Sequence, residues 1–281
     1  MFQIIGEKIN GTRKSVGAAV LERNSAFIAD LATRQAAAGA TWIDVNAGTH
    51  PNREPDDLVW LVETVQGAVD VPVSIDTANP LALAAALPHT RKTPLVNSIS
   101  GESARLAGVL PLAAANGCPV VALALDEKGI PTGIDDRLEV IRRLVEATRG
   151  AGIPDDRVYI DPLVMAIATN VESAQIALAT MRAVRAEYPA AHMTSGLSNV
   201  SFGLPARGLV NRTYLTLAIS AGLDCAILDP LDRELKAALI ATELLLGRDR
   251  HCLGYTRAFR AGLLGPVPAP AVGPAPAARP A

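Results

Sequence analysis

Residues 41–46 read Thr-Trp-Ile-Asp-Val-Asn, a short apolar run that is typical of a buried β-strand. A longer segment at residues 54–68 follows, and the spacing of its apolar residues is that of an amphipathic helix. The two segments together make one strand–helix unit. This unit predicts the fold, because the same alternation runs along nearly the whole chain.

Eight strand–helix units follow one another in the sequence. Eight units in a chain of 281 residues favour a closed barrel over an open sheet, which often has a glycine-rich first turn. The first turn here reads Gly-Glu-Lys-Ile-Asn-Gly-Thr instead. The predicted fold class is therefore α/β, a single (β/α)8 TIM barrel. The predicted strands are residues 3–10, 41–46, 71–77, 94–98, 119–125, 158–163, 192–199 and 225–229.

The composition agrees with this fold and restricts the partners. Hydrophobic residues make up 49% of the chain but aromatic residues only 4%, so the core is expected to consist of Val, Ile, Leu and Ala. The formal net charge is −2 without a long basic run, which predicts no nucleic acid and no anionic membrane as a partner. No apolar run approaches the ~20 residues of a membrane span, and a cytoplasmic protein is expected.

The end of the chain differs in composition from the rest. Residues 265–281 consist mainly of Pro and Ala, a composition that does not fold on its own. We therefore predict one barrel domain, residues 1–264, followed by a disordered tail, residues 265–281.

Polar side chains end every predicted strand, and in a barrel these ends meet at one mouth, where active sites form. None of them is His or Cys, and the three cysteines form no Cys-x-x-Cys pair, so no metal site is predicted. Carboxylates and amides suit a flat heterocycle, because a carboxylate accepts two parallel N–H bonds from an N–C–NH2 edge. A pterin, a purine or a guanidinium compound meets this requirement. The strand-end residues are Glu7, Asn10, Asp44, Asn46, Asp76, Asn79, Asn97, Ser98, Asp126, Asp161, Ser198, Asn199 and Asp229.

Any single one of these residues has a second interpretation. Asp and Asn directly after a strand also form turns or cap the next helix, because their side chains accept hydrogen bonds from nearby backbone N–H groups. Asp76 and Asp161 are the best individual candidates for a binding site, since each follows an apolar run that ends in Ile.

Several short motifs occur in a fixed order along the chain. They are Ile-Gly-Glu-Lys-Ile-Asn-Gly (5–11), Asp-Val-Asn-Ala-Gly (44–48), Ile-Asp-Thr-Ala-Asn (75–79), Val-Asn-Ser (96–98), Tyr-Ile-Asp-Pro-Leu (159–163), Gly-Leu-Ser-Asn-Val-Ser (196–201) and Arg-Gly-Leu-Val-Asn-Arg-Thr (207–213). This order resembles the pterin-binding barrel family over roughly residues 3–260. Within that family it is most similar to the methyltetrahydrofolate:corrinoid protein methyltransferases, which include the folate domain of cobalamin-dependent methionine synthase.

The resemblance implies roles for individual residues. Asp76, Asn97 and Asp161 would hold the polar edge of the pterin. Asn199 would be catalytic, with a hydrogen bond near N5, the nitrogen that carries the methyl group, and Asp161 would be its proton-linked catalytic partner. Phe202 departs from the family pattern, in which a polar residue, often Gln, approaches the folate. The remaining residues expected to contact folate are Glu7, Gly196, Ser198, Phe202 and Arg207.

The activity implied by the resemblance is transfer of a methyl group between N5 of tetrahydrofolate and the cobalt of a corrinoid. The substrate would be 5-methyltetrahydrofolate or tetrahydrofolate, and both directions of transfer are open. The chain lacks the Asp-x-His-x-x-Gly motif of cobalamin-binding domains, so a partner protein is expected to supply the corrinoid. A homodimer is expected from the resemblance alone.

Two alternatives to this activity share the same fold. A dihydropteroate synthase-like enzyme would use a similar pterin pocket, but the loop after strand 1 reads Glu-Lys-Ile-Asn-Gly-Thr (7–12) and lacks the Asn-x-Thr-x-Asp-Ser-Phe pattern of that enzyme. A folate-binding protein without catalysis is the second alternative, and a methyl-transfer assay separates it from the enzyme.

Overall fold

The computed structural model describes residues 2–265, and its centre is a sheet of eight parallel strands. The strands are β1 (Gln3–Asn10), β2 (Trp42–Asn46), β3 (Val73–Asp76), β4 (Leu95–Ser100), β5 (Val120–Leu123), β6 (Val158–Asp161), β7 (His192–Met193) and β8 (Cys225–Leu228). Their order in the sheet is β7-β6-β5-β4-β3-β2-β1-β8. Residues after β7 close the barrel, since Ile227 N donates to Ser195 O at 3.0 Å. The predicted (β/α)8 barrel is confirmed.

Helices surround the barrel, and eight of the ten in residues 2–265 occupy predicted positions. The two that the sequence did not predict, α1 (Lys14–Leu21) and α10 (Leu253–Arg260), have eight residues each, which is too short for a clear apolar periodicity. The helices are α1 (Lys14–Leu21), α2 (Ser25–Ala37), α3 (Glu54–Ala68), α4 (Pro80–Ala86), α5 (Ser103–Ala115), α6 (Ile134–Gly150), α7 (Ser173–Glu187), α8 (Arg207–Ser220), α9 (Arg233–Leu245) and α10 (Leu253–Arg260).

The core has two layers, as the alternation of side chains along a strand requires. The larger layer lies between strands and helices and contains most of the buried Val, Ile, Leu and Ala. The smaller layer fills the barrel interior with one residue each from five strands. These interior residues are Ile5, Leu95, Val121, Tyr159 and Cys225. On β6, Tyr159 belongs to the interior layer and Ile160 to the outer layer, so Asp161 again points inward, above the apolar floor.

The seventh strand is much shorter than predicted, and this difference shapes the mouth. The sequence predicted residues 192–199 as a strand, but regular pairing ends at Met193. Residues Leu197–Ser201 instead form a 3-10 turn, which carries Asn199. Thr194, Ser195 and Gly196 still bond to β6 or β8, and the turn begins directly after them, near the ends of both neighbouring strands.

Most of the predicted tail, residues 266–281, lies outside the described residues. Between residues 2 and 265, no helix combines the length and the apolar character that crossing a membrane requires.

Candidate active site at the barrel mouth

The C-terminal ends of neighbouring strands bring acids and amides together. Asp76 on β3 is in register with Asn97 on β4, and Asp44 on β2 is in register with Ser74 on β3. Asp161 ends β6 on the other side of the opening. The mouth is therefore lined by hydrogen-bond acceptors from separate strands.

Asp44 determines which way the amide of Asn97 faces. The buried Asp44 carboxylate accepts a hydrogen bond from Ser74 Oγ at 2.7 Å and one from Asn97 Nδ2 at 3.3 Å. Because the amide nitrogen of Asn97 is engaged with Asp44, its carbonyl oxygen is the atom left for a ligand. Burial raises the pKa of the Asp44 carboxyl well above its ordinary value, and the nearby charge of Asp76 raises it further.

Asp76 keeps one carboxylate oxygen for a ligand. Asn46 Nδ2 donates to the other oxygen at 2.9 Å. Burial raises the pKa of Asp76, while the bond from Asn46 and the charge of Arg105 counteract the shift. Arg105 is held beside the mouth by Ser98, because its Nη2 donates to Ser98 Oγ at 2.7 Å and its Nε to Ser98 O at 3.1 Å.

Asp161 is almost completely buried and is held by two backbone N–H groups. Leu163 N donates to one carboxylate oxygen at 2.8 Å, and Gly196 N donates to the other at 3.2 Å. Burial raises the pKa of Asp161 to about 6, although both backbone bonds and the positive charge of Arg137 act in the opposite direction. The charge of this carboxyl therefore changes close to neutral pH.

Asn199 lies on the 3-10 turn that follows Gly196, whose N–H donates to this carboxylate, and residue 199 is exposed to solvent. Gly196 provides the room for it: a Cβ atom at position 196 would lie 3.0 Å from Asn199 Nδ2. The amide is thus an available donor at the rim of the mouth.

Arg207 joins the 3-10 turn to the start of α8. Its Nη2 donates to Ser198 O at 2.8 Å, and its Nε donates to Ser201 Oγ at 3.0 Å. The guanidinium carbon lies 5.6 Å from the centre of the Phe202 ring, a cation–π distance. Phe202 is 67% exposed, so its ring forms part of the rim.

Glu7 lies at the mouth, where it forms an ion pair with Arg13. Arg13 Nη2 donates to the Glu7 carboxylate at 2.9 Å. Burial raises the pKa of Glu7 in spite of this partner. Its neighbour Lys8 is engaged as well, since Lys8 Nζ lies 2.8 Å from Asp229 Oδ2.

Other strand-end residues form local turns, as the second interpretation of such residues expects. Asn10 accepts from Thr12 N at 3.0 Å, and Asp229 accepts from Leu231 N at 2.9 Å. Asp126 accepts from the backbone N–H of residue 128 at 3.0 Å, and Asn79 caps α4. These four side chains stabilise the loops around the mouth.

A family model described as pterin binding enzyme matches residues 6–229 of the chain. The chain belongs to the pterin binding enzyme family. The match covers every strand end at the mouth, from Glu7 on β1 to Asp229 after β8. The family membership predicted from the ordered motifs is therefore confirmed.

The chain is similar over most of its length to two named enzymes. A methylcorrinoid:tetrahydrofolate methyltransferase of Eubacterium limosum is 44% identical over 268 residues, which cover 95% of this chain and 99% of the relative. A methionine synthase of Mycobacterium tuberculosis is 30% identical over 237 residues. That match covers 80% of this chain but 20% of the methionine synthase, so the chain corresponds to one part of that longer protein.

Solved structures with low sequence identity share the fold. A dihydropteroate synthase of Yersinia pestis superposes with a TM-score of 0.66 at 20% identity, covering 88% of this chain and 93% of that one. A dihydropteroate synthase of Coxiella burnetii also gives 0.66, at 19% identity, and covers 86% of this chain and 94% of that one. At this level of identity the likeness concerns the barrel and not the reaction.

Two arginines that lie at the barrel mouth were not selected from the sequence. Arg105 and Arg137 contact the loops that carry Ser98 and Asp161, yet both occur in helical segments, where surface arginines are common. Each also has acidic residues close by in sequence, as surface arginines on helices commonly do, so the local pattern does not select them.

Gly196→Ala is expected to reduce the activity of the site by about tenfold or more, because the added methyl group meets the Asn199 amide at 3.0 Å and displaces it. The unfolding free energy is expected to change little, since residue 196 has a negative φ that alanine also adopts. Steady-state kinetics and urea unfolding of the variant test both statements. Gly208→Ala is the matched control, because open space surrounds that position.

Proposed function

We propose that the chain is an enzyme that moves a methyl group between N5 of tetrahydrofolate and the cobalt of a corrinoid carried by a partner protein. The observation that carries this proposal is the exposed amide of Asn199 on the turn that follows Gly196, whose backbone N–H donates to Asp161, at the mouth that also holds the acceptors of Asp76 and Asn97. The similarity over nearly the full length of a methylcorrinoid:tetrahydrofolate methyltransferase supports the same reaction.

The acceptors at the mouth fit a reduced pterin. Its polar edge presents an amino group and ring N–H groups, which require carboxylate or carbonyl oxygens as partners. Asp76 and Asn97 each keep one oxygen for such a donor, and Asp161 supplies a carboxylate that is ionised above pH 6 or so. A carboxylate with two backbone donors also holds its orientation before the ligand arrives.

Asn199 acts on the nitrogen that exchanges the methyl group. In transfer from the folate, N5 takes up a proton and the C–N5 bond breaks; the bonding electron pair stays on N5 as a lone pair, and an amide N–H aimed at N5 stabilises it. The same transition state is crossed in the opposite direction, in which the N5 lone pair attacks the methyl carbon and the N5 proton is released. An interaction that strengthens in the transition state increases the rate. The cobalt supplies the partner atom that takes or gives the methyl group.

Asp161 is the titratable group suited to respond when N5 gains or loses its proton. Its pKa of about 6 lies close to neutral pH, which favours proton transfer there. The ionised form binds the pterin edge and balances the positive charge that N5 carries during transfer. One carboxylate thus supports both binding and reaction.

We propose that the physiological direction runs from a methylated corrinoid to tetrahydrofolate, on the basis of the 44% identical relative. The test is anaerobic incubation of the purified full chain with methylcobalamin and tetrahydrofolate, followed by UV–visible spectroscopy and chromatography of the folates. We expect cob(I)alamin and 5-methyltetrahydrofolate to form in equal amounts. Tight folate binding without transfer, also in the reverse reaction, would contradict the proposal and favour a non-catalytic folate-binding protein.

The homodimer and the cytoplasmic location expected from the sequence stay predictions. Light scattering of the purified chain tests the first, and fractionation of the source cells tests the second. Neither result bears on the reaction at the mouth.

Phe202→Gln is expected to raise the KM for tetrahydrofolate about threefold to tenfold and to leave kcat unchanged. The exposed ring, held beside Arg207, is placed to pack against a flat ligand, and this contact is the same in ground and transition states. Steady-state kinetics measures the two constants separately. Phe202→Leu keeps an apolar side chain without the ring and should show an intermediate KM. A fall in kcat instead would assign Phe202 a role in the chemical step.

A further inference from the structure

A completely buried arginine lies behind Asp161. Arg137, in the first turn of α6, has no exposed surface. Its Nε donates to Pro131 O at 2.8 Å, and its Nη1 donates to Pro162 O at 2.7 Å and to Leu163 O. One guanidinium group thus connects the loop after β5 to the loop after β6.

The second of these loops orients the Asp161 carboxylate. Leu163 N donates to Asp161, and Leu163 adopts a left-handed backbone conformation with φ of 62°. For a residue with a branched side chain this conformation costs about 1 kcal/mol or more and persists only when its surroundings hold it. Arg137 provides such a hold, because it binds the carbonyl oxygens of both residues that follow Asp161.

Arg137 also carries a charge that needs a counter-charge. All of its hydrogen bonds within residues 2–265 go to backbone carbonyl oxygens, and its Nη2 has no partner there. A buried guanidinium is costly unless a negative charge lies near it. Asp161 is the acid whose charge acts on Arg137, and burial lowers the pKa of Arg137 against that effect.

The other titratable groups around Asp161 are neutral. Tyr214 from α8 and Cys225 from β8 both interact with its charge. Burial raises the pKa of each of them far above neutral pH, so neither carries a charge there. Arg137 from α6 is thus the one cation that acts on the Asp161 carboxylate among the residues described.

We propose that Arg137 is a positioning residue for Asp161, which holds the turn that orients the carboxylate and supplies the positive charge that keeps it ionised for pterin binding. That the ligand is a pterin rests on the proposed function. The effect of Arg137 on the charge of Asp161 does not, because that charge can be measured without any ligand.

The first experiment titrates Asp161 in the ligand-free full chain by NMR with 13C-labelled aspartate carboxyl groups, assigned with Asp161→Asn. Arg137→Gln removes the positive charge, so the ionised carboxylate loses support and its midpoint is expected to rise by about one pH unit or more. Arg137→Lys keeps the charge and should leave the midpoint near that of the wild type. Arg149→Gln, the same substitution on the outer end of α6, is the matched control.

The second experiment measures the Kd for tetrahydrofolate between pH 5 and 8.5. Since the ionised carboxylate is the binding form, affinity is expected to fall as the pH drops through the Asp161 midpoint, and Arg137→Gln should move this fall to higher pH. An unchanged midpoint in Arg137→Gln by both methods would overturn the proposal. A wild-type chain that binds no tetrahydrofolate would contradict the proposed function alone, because the NMR titration still decides the role of Arg137.

If Arg137→Gln does not fold, Arg137→Lys tests the positioning role in its place. A lysine ammonium reaches fewer of the three carbonyl oxygens than the planar guanidinium, so it should loosen the turn while it keeps the charge. The expected result is a Kd for tetrahydrofolate about tenfold higher at pH 7.5, with an unchanged Asp161 midpoint. A lysine variant with the wild-type Kd would overturn the positioning role.

Discussion

Replacing Asn199 with alanine is expected to lower the rate of methyl transfer by about 100-fold or more, while the Kd for tetrahydrofolate changes less than about threefold. The amide stands exposed on the 3-10 turn and has no part in the acceptor set formed by Asp76, Asn97 and Asp161. Its hydrogen bond to N5 gains strength only as the electron pair develops there. Its removal therefore affects the transition state and leaves the bound ground state nearly unchanged.

Single-turnover kinetics at saturating tetrahydrofolate measures the rate of transfer, and fluorescence titration measures the Kd independently. Asn116→Ala is the matched control, because it removes an exposed amide at the end of α5, on the opposite side of the barrel from the mouth. Equal losses of rate and affinity in Asn199→Ala would show that the amide is a binding group and not a catalytic one.

Replacing Asp161 with asparagine is expected to weaken tetrahydrofolate binding and yet stabilise the ligand-free fold above neutral pH. Binding should fall about tenfold to 100-fold at pH 7.5, because a charged acceptor is replaced by a neutral one. The backbone N–H of Gly196 also loses its partner, since an amide nitrogen then faces it. Titration calorimetry of the variant gives this loss directly.

The effect on stability follows from the direction of the Asp161 pKa shift. Its pKa of about 6 in the fold lies above the ordinary value of ~3.9, so its contribution to stability is fully present below pH 3.9 or so and is lost as the pH rises through 6. Ionised Asp161 thus destabilises the ligand-free fold by up to about 3 kcal/mol. The attraction of Asp161 to Arg137 is already included in this pKa, so the cost is a net one. Asparagine removes it but loses one backbone hydrogen bond, worth about 1 kcal/mol.

Urea unfolding at two pH values tests this statement. At pH 8 the free energy of unfolding of Asp161→Asn is expected to exceed that of the wild type by about 1–2 kcal/mol. At pH 4.5, where wild-type Asp161 is mostly protonated, the difference should shrink or change sign. A difference that is the same at both pH values would mean that Asp161 keeps an ordinary pKa in the folded chain.

The weaker binding and the higher stability expected for Asp161→Asn have one physical origin. The carboxylates at the mouth are buried, so their negative charge destabilises the empty site. The N–H groups of the ligand offset this cost on binding. Asp44, Asp76 and Asp161 all have a raised pKa for this reason. Binding sites of this kind commonly exchange stability for affinity.

The sequence by itself determined the barrel and the polar character of its mouth. Repeating strand–helix units are a local signal, because the period of apolar residues is written in neighbouring positions. The acids and amides at the strand ends could be identified for the same reason, and the order of the motifs indicated the family. The short helices α1 and α10 escaped because eight residues carry too little periodicity.

The tertiary structure alone decided which strand-end residues face a ligand. Asn10 and Asp161 each accept a hydrogen bond from the backbone N–H two residues later, yet only Asp161 is buried and also accepts one from Gly196, 35 positions later in the chain. The orientation of the Asn97 amide depends on Asp44, which lies 53 positions earlier in the chain. Burial, charge and hydrogen-bond partners of this kind arise from contacts between distant segments, and the local pattern of residues does not contain them.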